Sequence, residues 1–170
     1  MALRFEELIE QHHDEIFAYL WRLMGNGRRD RALDTEDLVQ DVFLRAYRGF
    51  AWLRPDSNPR AWLYKIATHC AYTKLRQIKD RHQKLCSWAN SATELETASD
   101  GLISRKNVGA RVRHLMRGLP VKQRACVTMR YLQDLDYSEI AQILGCSQES
   151  ARSNVHQAIR RLRRLMEDER

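Results

Sequence analysis

Residues Tyr137–Leu162 read YSEIAQILGCSQESARSNVHQAIRRL, and the pattern in this segment is the clearest indication of the fold. Ser138 can cap a short helix, because its hydroxyl can accept a hydrogen bond from a free amide of the first turn. Gly145 follows where that helix should end in a left-handed turn, which glycine adopts at little cost. Ser147 can cap a second, longer helix. The pattern therefore predicts two helices joined by a tight turn, a helix-turn-helix.

The second helix has two contrasting faces. Its apolar side chains recur every three or four residues, as expected of a stripe that packs inward: Val155, Ile159, Leu162 and Met166. The opposite face carries arginine, serine, histidine and glutamine. Such a face can enter the major groove of DNA, where arginine binds guanine and glutamine binds adenine through paired hydrogen bonds. A helical hairpin with a solvated basic face is the alternative interpretation.

Composition also favours an anionic partner. The 170 residues include 29 Lys and Arg against 22 Asp and Glu, a net charge of +7. Residues 60–84 carry seven basic and one acidic side chain, and residues 111–170 carry twelve and seven. Blocks of this kind suit nucleic acid or an acidic membrane surface, although two solvated helix faces would give the same counts.

Helical periodicity continues through the rest of the chain, and no segment alternates for long enough to predict a strand. The fold class is therefore predicted to be all-α. Asn58 can cap a helix whose first position is Pro59. Residues 85–107 are mostly polar, small and poorly periodic, which predicts a flexible linker between two small helical domains, 1–84 and 108–170.

We expect a cytoplasmic protein. The N-terminus carries no apolar run typical of a secretory signal, and no stretch approaches the ~18 apolar residues of a membrane span. The four cysteines, at positions 70, 86, 126 and 146, form no CxxC pair. We interpret them as free thiols of a reducing compartment rather than a disulfide frame or a zinc site. No residues follow Arg170, so we expect no appended C-terminal regulatory domain.

The C-terminal half resembles region four of the extracytoplasmic-function sigma factors, which give bacterial RNA polymerase its promoter specificity. The resemblance is carried by Leu119-Pro120, Arg124, Met129–Tyr131, Tyr137–Ala141 and Gly145. It implies a helix-turn-helix domain that binds the minus-thirty-five promoter element. The side chains implied in that contact are Ser147, Arg152, Ser153, His156, Gln157 and Arg160. The arginines further along the helix, Arg161, Arg163 and Arg164, suit phosphates.

Residues Asp34–Tyr47, DTEDLVQDVFLRAY, resemble the core of the same family's region two, a helical bundle. Leu38, Val42 and Ala46 should pack inward and leave a polar face outside. In the family this face binds the coiled coil of the polymerase β′ subunit. The resemblance implies that the contact is made by Asp37, Gln40, Asp41 and Arg45. Without the other motifs, a solvated amphipathic helix would be the simpler interpretation.

Residues Asn58–Arg76 resemble the family's promoter-melting segment. Holding a separated strand needs cations for the backbone and a pocket for an unstacked base. The resemblance implies minus-ten contacts in this segment and the loop before it: Trp52, Leu53, Ser57, Lys65, His69, Lys74 and Arg76. Trp62 shares its helix face with Ile66 and Cys70, so we expect it to pack in the core rather than stack on a base.

The two motifs, in this order and over nearly the whole chain, predict an alternative sigma factor that directs promoter-specific initiation. The implied partners are core RNA polymerase, through its β′ coiled coil and β flap, promoter DNA and an anti-sigma factor. We expect no catalysis, cofactor, metal or small-molecule substrate. The sequence has no glycine-rich phosphate loop, and His12-His13 lacks the HExxH spacing of zinc hydrolases.

Two other classes of function compete with this prediction. A repressor or response regulator would share the C-terminal motif, but a receiver domain needs alternating strands and helices with an acidic phosphorylation cluster. The N-terminal half has neither. An anti-sigma factor or another protein-interaction module would lack the basic recognition helix.

Overall fold

The computed structural model describes residues 4–25, 29–54, 56–88 and 108–168. In these ranges the chain forms helices and no strands, which confirms the predicted all-α class. Seven helices lie within them: α1 (Phe5–Met24), α2 (Arg29–Phe50), α3 (Pro59–Trp88), α4 (Val108–Arg117), α5 (Val121–Leu132), α6 (Tyr137–Leu144) and α7 (Gln148–Asp168). No helix of this part of the chain is long and apolar enough to cross a membrane.

Helices α1, α2 and α3 form an N-terminal bundle. Leu38, Val42 and Ala46 of α2 are buried in its core, as their spacing predicts. Inside the bundle the Tyr19 hydroxyl is 2.8 Å from Thr68 Oγ1, so this pair satisfies two buried polar groups.

The start of α3 also follows the prediction. Pro59 is its first residue, and Asn58 Oδ1 accepts a hydrogen bond from the Ala61 amide at 3.1 Å. Trp62 packs against the bundle core. A Cβ atom on Gly49 would lie 3.2 Å from the Trp62 ring, so this helix contact depends on the glycine.

The predicted cap at Ser138 is wrong. The N-cap of α6 is Asp136, two residues earlier, and the helix begins at Tyr137. The Asp136 carboxylate accepts from the Glu139 amide at 2.8 Å, and the Glu139 carboxylate accepts from the Asp136 amide at 2.9 Å. This reciprocal pair satisfies two amides at once, which a single serine hydroxyl does not.

The turn and the second helix follow the prediction more closely. Gly145 has φ 61° and ψ 44°, the left-handed conformation. Ser147 Oγ accepts from the Ser150 amide at 3.1 Å and so caps α7. The inward stripe of α7 is buried at Val155 but ends before Met166, which is 38% exposed.

The two halves of the molecule pack against each other. Helix α1 contacts α5, and α3 contacts α6. Cys126 and Met129 of α5 and Ile140 of α6 belong to the same buried apolar cluster as Leu20 and Tyr64 of the N-terminal bundle. Helix α3 continues to Trp88, four residues into the segment predicted as a linker, and residues 89–107 lie outside the described ranges.

Candidate nucleic-acid interface

The outer face of α7 presents the predicted base-reading side chains together. Arg152, Ser153, His156, Gln157 and Arg160 are all exposed and follow one another along the helix at a spacing that keeps them on one side. Ser147, which is exposed at the N-terminus of α7, has its hydroxyl committed to the cap. The remaining face can therefore enter a groove with its hydrogen-bonding groups outward.

The Arg152 side chain is held in place by contact with an aromatic ring. Its guanidinium carbon lies 5.2 Å from the centroid of the Tyr137 ring, and that of Arg130 lies 5.2 Å from the same ring. Arg130 is held in turn, since it donates to the Leu135 carbonyl at 3.3 Å. Cation–π contacts of this kind orient an arginine while leaving its N–H groups available. The sequence motif had included Tyr137 without assigning it this role.

A hydrogen-bonded chain holds Gln157. Gln123 Nε2 donates to Gln157 Oε1 at 3.0 Å, and Gln157 Nε2 donates to Ser153 Oγ at 3.1 Å. The two glutamines line a cavity of about 310 Å³ with three arginines, Arg160, Arg161 and Arg164. This cationic recess lies beside the predicted reading face and suits a phosphate oxygen.

The predicted polymerase-binding side chains lie on the outer face of α2. Asp37, Gln40, Asp41 and Arg45 are all exposed there. Two large apolar side chains, Leu44 and Tyr47, are 57% and 66% exposed on the same helix. Exposed apolar groups among charged ones are typical of a protein-binding surface, and the sequence prediction did not include them.

The loop between α2 and α3 exposes the predicted base-binding tryptophan. Trp52 is 86% exposed, while Leu53 and Ser57 are half-buried. Ser57 is fixed in a turn, because its Oγ donates to the Arg54 carbonyl at 2.6 Å. Trp52 lies in a separate turn, where its amide donates to the Gly49 carbonyl at 3.1 Å, and its exposed indole is able to stack on an unpaired base.

The predicted minus-ten side chains of α3 fall into two groups. Lys65 and His69 are exposed and line a cavity of about 560 Å³ between the two halves of the molecule, which is also lined by Ile143, Leu144 and Gly145. Arg45 of α2 lies in the same cavity, so the predicted polymerase and DNA surfaces meet there.

The other cations lie further along α3. Lys74 is paired with Asp34 at 3.1 Å, and Arg76 lies 4.0 Å from Asp80. The Arg76 pair is exposed and the Lys74 pair is half-buried. Ion pairs that water reaches hold their partners weakly, so both cations can turn to a phosphate at small cost.

A polar cluster that no sequence pattern predicted joins the two halves. Arg60 donates to Glu15 Oε2 at 2.9 Å and to the Gln133 carbonyl at 2.9 Å. Asn58 Nδ2 donates to Glu139 Oε1 at 3.3 Å beside it. Burial alone would raise the pKa of the Glu15 carboxyl, but hydrogen bonds from Arg60 and His12 lower it overall.

Three cysteines have side chains in the described part of the chain. Cys70, Cys126 and Cys146 are free there. Burial raises the pKa of the Cys70 thiol and raises that of Cys126 to about 12. Among the described residues no group of three His, Cys, Asp or Glu side chains could hold a metal ion.

A known protein family model matches each half of the chain. The Sigma-70 region 2 model matches residues 8–82, and the Sigma-70 region 4 model matches residues 96–162. The chain is 30% identical to the RNA polymerase sigma factor YlaC of Bacillus subtilis, over 95% of this chain and 91% of that protein. It is also 30% identical to the ECF RNA polymerase sigma factor SigM of Mycobacterium tuberculosis, over 95% and 76% of the two chains.

A solved structure shares the fold. The sigma factor RpoE of Bartonella quintana, in complex with the anti-sigma factor NepR, superposes with a TM-score of 0.73 at 22% identity, covering 98% of each chain.

Proposed function

The chain belongs to the extracytoplasmic-function family of RNA polymerase sigma factors and directs promoter-specific transcription initiation, and from that premise we propose which surface performs each task. The observation that carries the proposal is the exposed face of α7. Arginine, histidine and glutamine side chains point outward from this face. The helix-turn-helix that carries them has an N-terminal cap on each helix and a left-handed glycine in the turn.

Helix α7 binds the upstream promoter element in the major groove. Arg152 and Gln157 bind base edges, because both are exposed and held in orientation by neighbouring side chains. Arg160, Arg161 and Arg164 surround the adjacent recess and bind phosphates, which fixes the register of the helix on the duplex.

Helix α2 docks on core polymerase. Its exposed face alternates carboxylates, an amide and Arg45 with the apolar Leu44 and Tyr47. Polar groups of this kind set the orientation of a partner helix, and the apolar pair contributes buried area. The coiled coil of the β′ subunit is the partner that we propose for this face, and the β flap is a second contact on the C-terminal half.

The loop at Trp52 and the cations of α3 hold the separated strand near the start site. Trp52 supplies a stacking surface, and Lys65, Lys74 and Arg76 supply charge for the backbone. Binding energy does this work, so we infer that the chain itself performs no covalent chemistry. We propose an anti-sigma factor as a further partner, by analogy with the RpoE–NepR complex.

The test combines binding with transcription. The purified chain is passed with core polymerase over a gel-filtration column, and the mixture then transcribes a library of promoter fragments. We expect co-elution and new, promoter-specific transcripts. Separate elution together with unchanged transcripts would overturn the proposal.

A pair of charge reversals tests the α2 face. Asp41→Arg should weaken co-elution with core polymerase while the circular dichroism spectrum stays that of the wild type. Glu10→Arg makes the same charge change at an exposed position of α1, outside the proposed face, and should co-elute normally. Equal losses in both variants would show a general charge effect and exclude α2 as the docking surface.

A further inference from the structure

We propose that Gln123, on α5, is a positioning residue that fixes the Gln157 amide for reading adenine in the upstream promoter element. This inference rests on the proposed function of α7. Gln123 itself is half-buried between α5 and α7 and lies outside the exposed face that would enter the groove.

The hydrogen bonds leave Gln157 with the groups that adenine requires. A side-chain amide has two N–H donors and an oxygen with two lone pairs. Gln157 uses one lone pair to accept from Gln123 and one N–H to donate to Ser153. One donor and one acceptor remain, and adenine offers N7 as an acceptor and N6–H as a donor in the major groove.

The same bonds couple the orientation of the Gln157 amide to that of Gln123, whose NH₂ group lies toward Gln157. Turning the Gln157 amide by 180° would bring its NH₂ group against the NH₂ group of Gln123 and lose their hydrogen bond. Gln157 is exposed, so without this tether its side chain would be free to turn. Ordering a side chain before binding reduces the cost of ordering it on the DNA.

Gln123→Leu is a suitable variant because it removes the tether without opening a new defect. Within the described part of the chain, Gln123 Oε1 is buried with no hydrogen-bond partner. Replacing the amide by an apolar side chain of similar size removes that unsatisfied acceptor, so the fold should keep its stability. Gln11→Leu makes the same substitution at an exposed position of α1 and serves as the matched control.

The experiment uses full-length chains with core polymerase and a promoter library randomised across the upstream element. Transcript counts give the base preference at each position. We expect Gln157→Ala to lose the adenine preference at one position, and Gln123→Leu to reduce it there by about three- to tenfold. The other positions and the Gln11→Leu control should keep the wild-type preference.

A double variant separates positioning from a direct contact. If Gln123 acts through Gln157, the double variant has the same preference as Gln157→Ala alone. Equal losses on all sequences, a further loss in the double variant, or an unchanged preference in Gln123→Leu would each overturn the inference. A wild-type chain that yields no promoter-specific transcripts would instead overturn the proposed function, and this inference with it.

Discussion

Arg152 is an exposed side chain whose orientation is partly set in the free protein. Its guanidinium carbon lies 5.2 Å from the Tyr137 ring centroid, so part of its orientation is set before DNA arrives. A bidentate contact from arginine to guanine is worth about 1–3 kcal/mol of discrimination. We therefore expect Arg152→Ala to weaken binding by about that amount on the preferred upstream sequence and much less on sequences altered at that base. Holoenzyme affinity for promoter duplexes that differ at one position measures this.

Arg163→Ala is the matched control on the same helix. Arg163 is also exposed but lies beyond the predicted base-reading residues. Its loss should weaken binding to every sequence alike and reduce the slope of affinity against salt concentration by about one. If Arg152→Ala behaves in the same way, Arg152 binds a phosphate and not a base.

Helices α6 and α7 depend on the conformation of the turn between them. Gly145 has φ 61°, and a Cβ atom there would meet no atom within 4 Å. Gly145→Ala should therefore cost only backbone strain, about 1–2 kcal/mol in the free energy of unfolding. Urea unfolding measures this. Gly118→Ala is the control, because φ there is not left-handed and an added Cβ would lie at ordinary contact distance from its neighbours. It should cost less stability than Gly145→Ala. A larger loss of stability at Gly118 than at Gly145 would contradict the strain argument.

The sequence predicts these two helices well because their signals are local. Gly145, Ser147 and the stripe at Val155 lie within a few residues of the structure that they determine. The error at the start of α6 was also local. Asp136 and Ser138 can both cap, and the choice depends on Glu139, which is three residues after Asp136 as a capping box requires.

The side-chain tethers could not be predicted in the same way. Gln123 and Gln157 are 34 residues apart, and Arg60 is 45 residues from Glu15. Such contacts depend on how whole helices pack, and the periodicity of one helix does not fix its neighbour. The sequence therefore predicted which faces are exposed, but not that Tyr137 contacts Arg152 and Gln123 contacts Gln157.

The cluster of Glu15 with Arg60 joins the two halves of the protein through the Gln133 carbonyl. Hydrogen bonds with Arg60 and His12 keep the pKa of Glu15 below its ordinary value of 4.5, despite its burial. A lowered pKa in the folded state contributes stability above the ordinary value, and this is lost as the pH falls through the folded-state pKa. We expect Glu15→Gln to cost about 1–3 kcal/mol at pH 6.

Unfolding at several pH values tests this pH dependence. The difference in stability between the wild type and Glu15→Gln should shrink as the pH falls below 4.5, where the wild-type carboxyl gains its proton. Glu10→Gln, an exposed position on the same helix, serves as the control and should differ little from the wild type throughout. A difference for Glu15→Gln that does not change with pH would mean that its charge is irrelevant.

The two halves, packed as they are in the structure, lie too close together to bind both promoter elements at the same time. The minus-ten and minus-thirty-five elements are centred roughly 25 base pairs apart, which is about 85 Å at ~3.4 Å per base pair. A compact chain of this length has a radius of gyration of about 16 Å and cannot reach both. If one half binds each element, as we propose, the contacts of α1 with α5 and α3 with α6 separate on the promoter.

Spin labels can follow this opening. We expect labels at Arg48→Cys on α2 and Arg163→Cys on α7, both exposed positions, to move tens of ångströms apart when the chain binds core polymerase and promoter. The native cysteines are replaced by serine or alanine, and a melting curve checks that the fold is kept. Arg60→Ala breaks the bond to Gln133 and should lengthen the distance already in the free chain. A distance in the promoter complex equal to that of the free wild type would show that the packed arrangement persists on DNA and that one half leaves its element unbound.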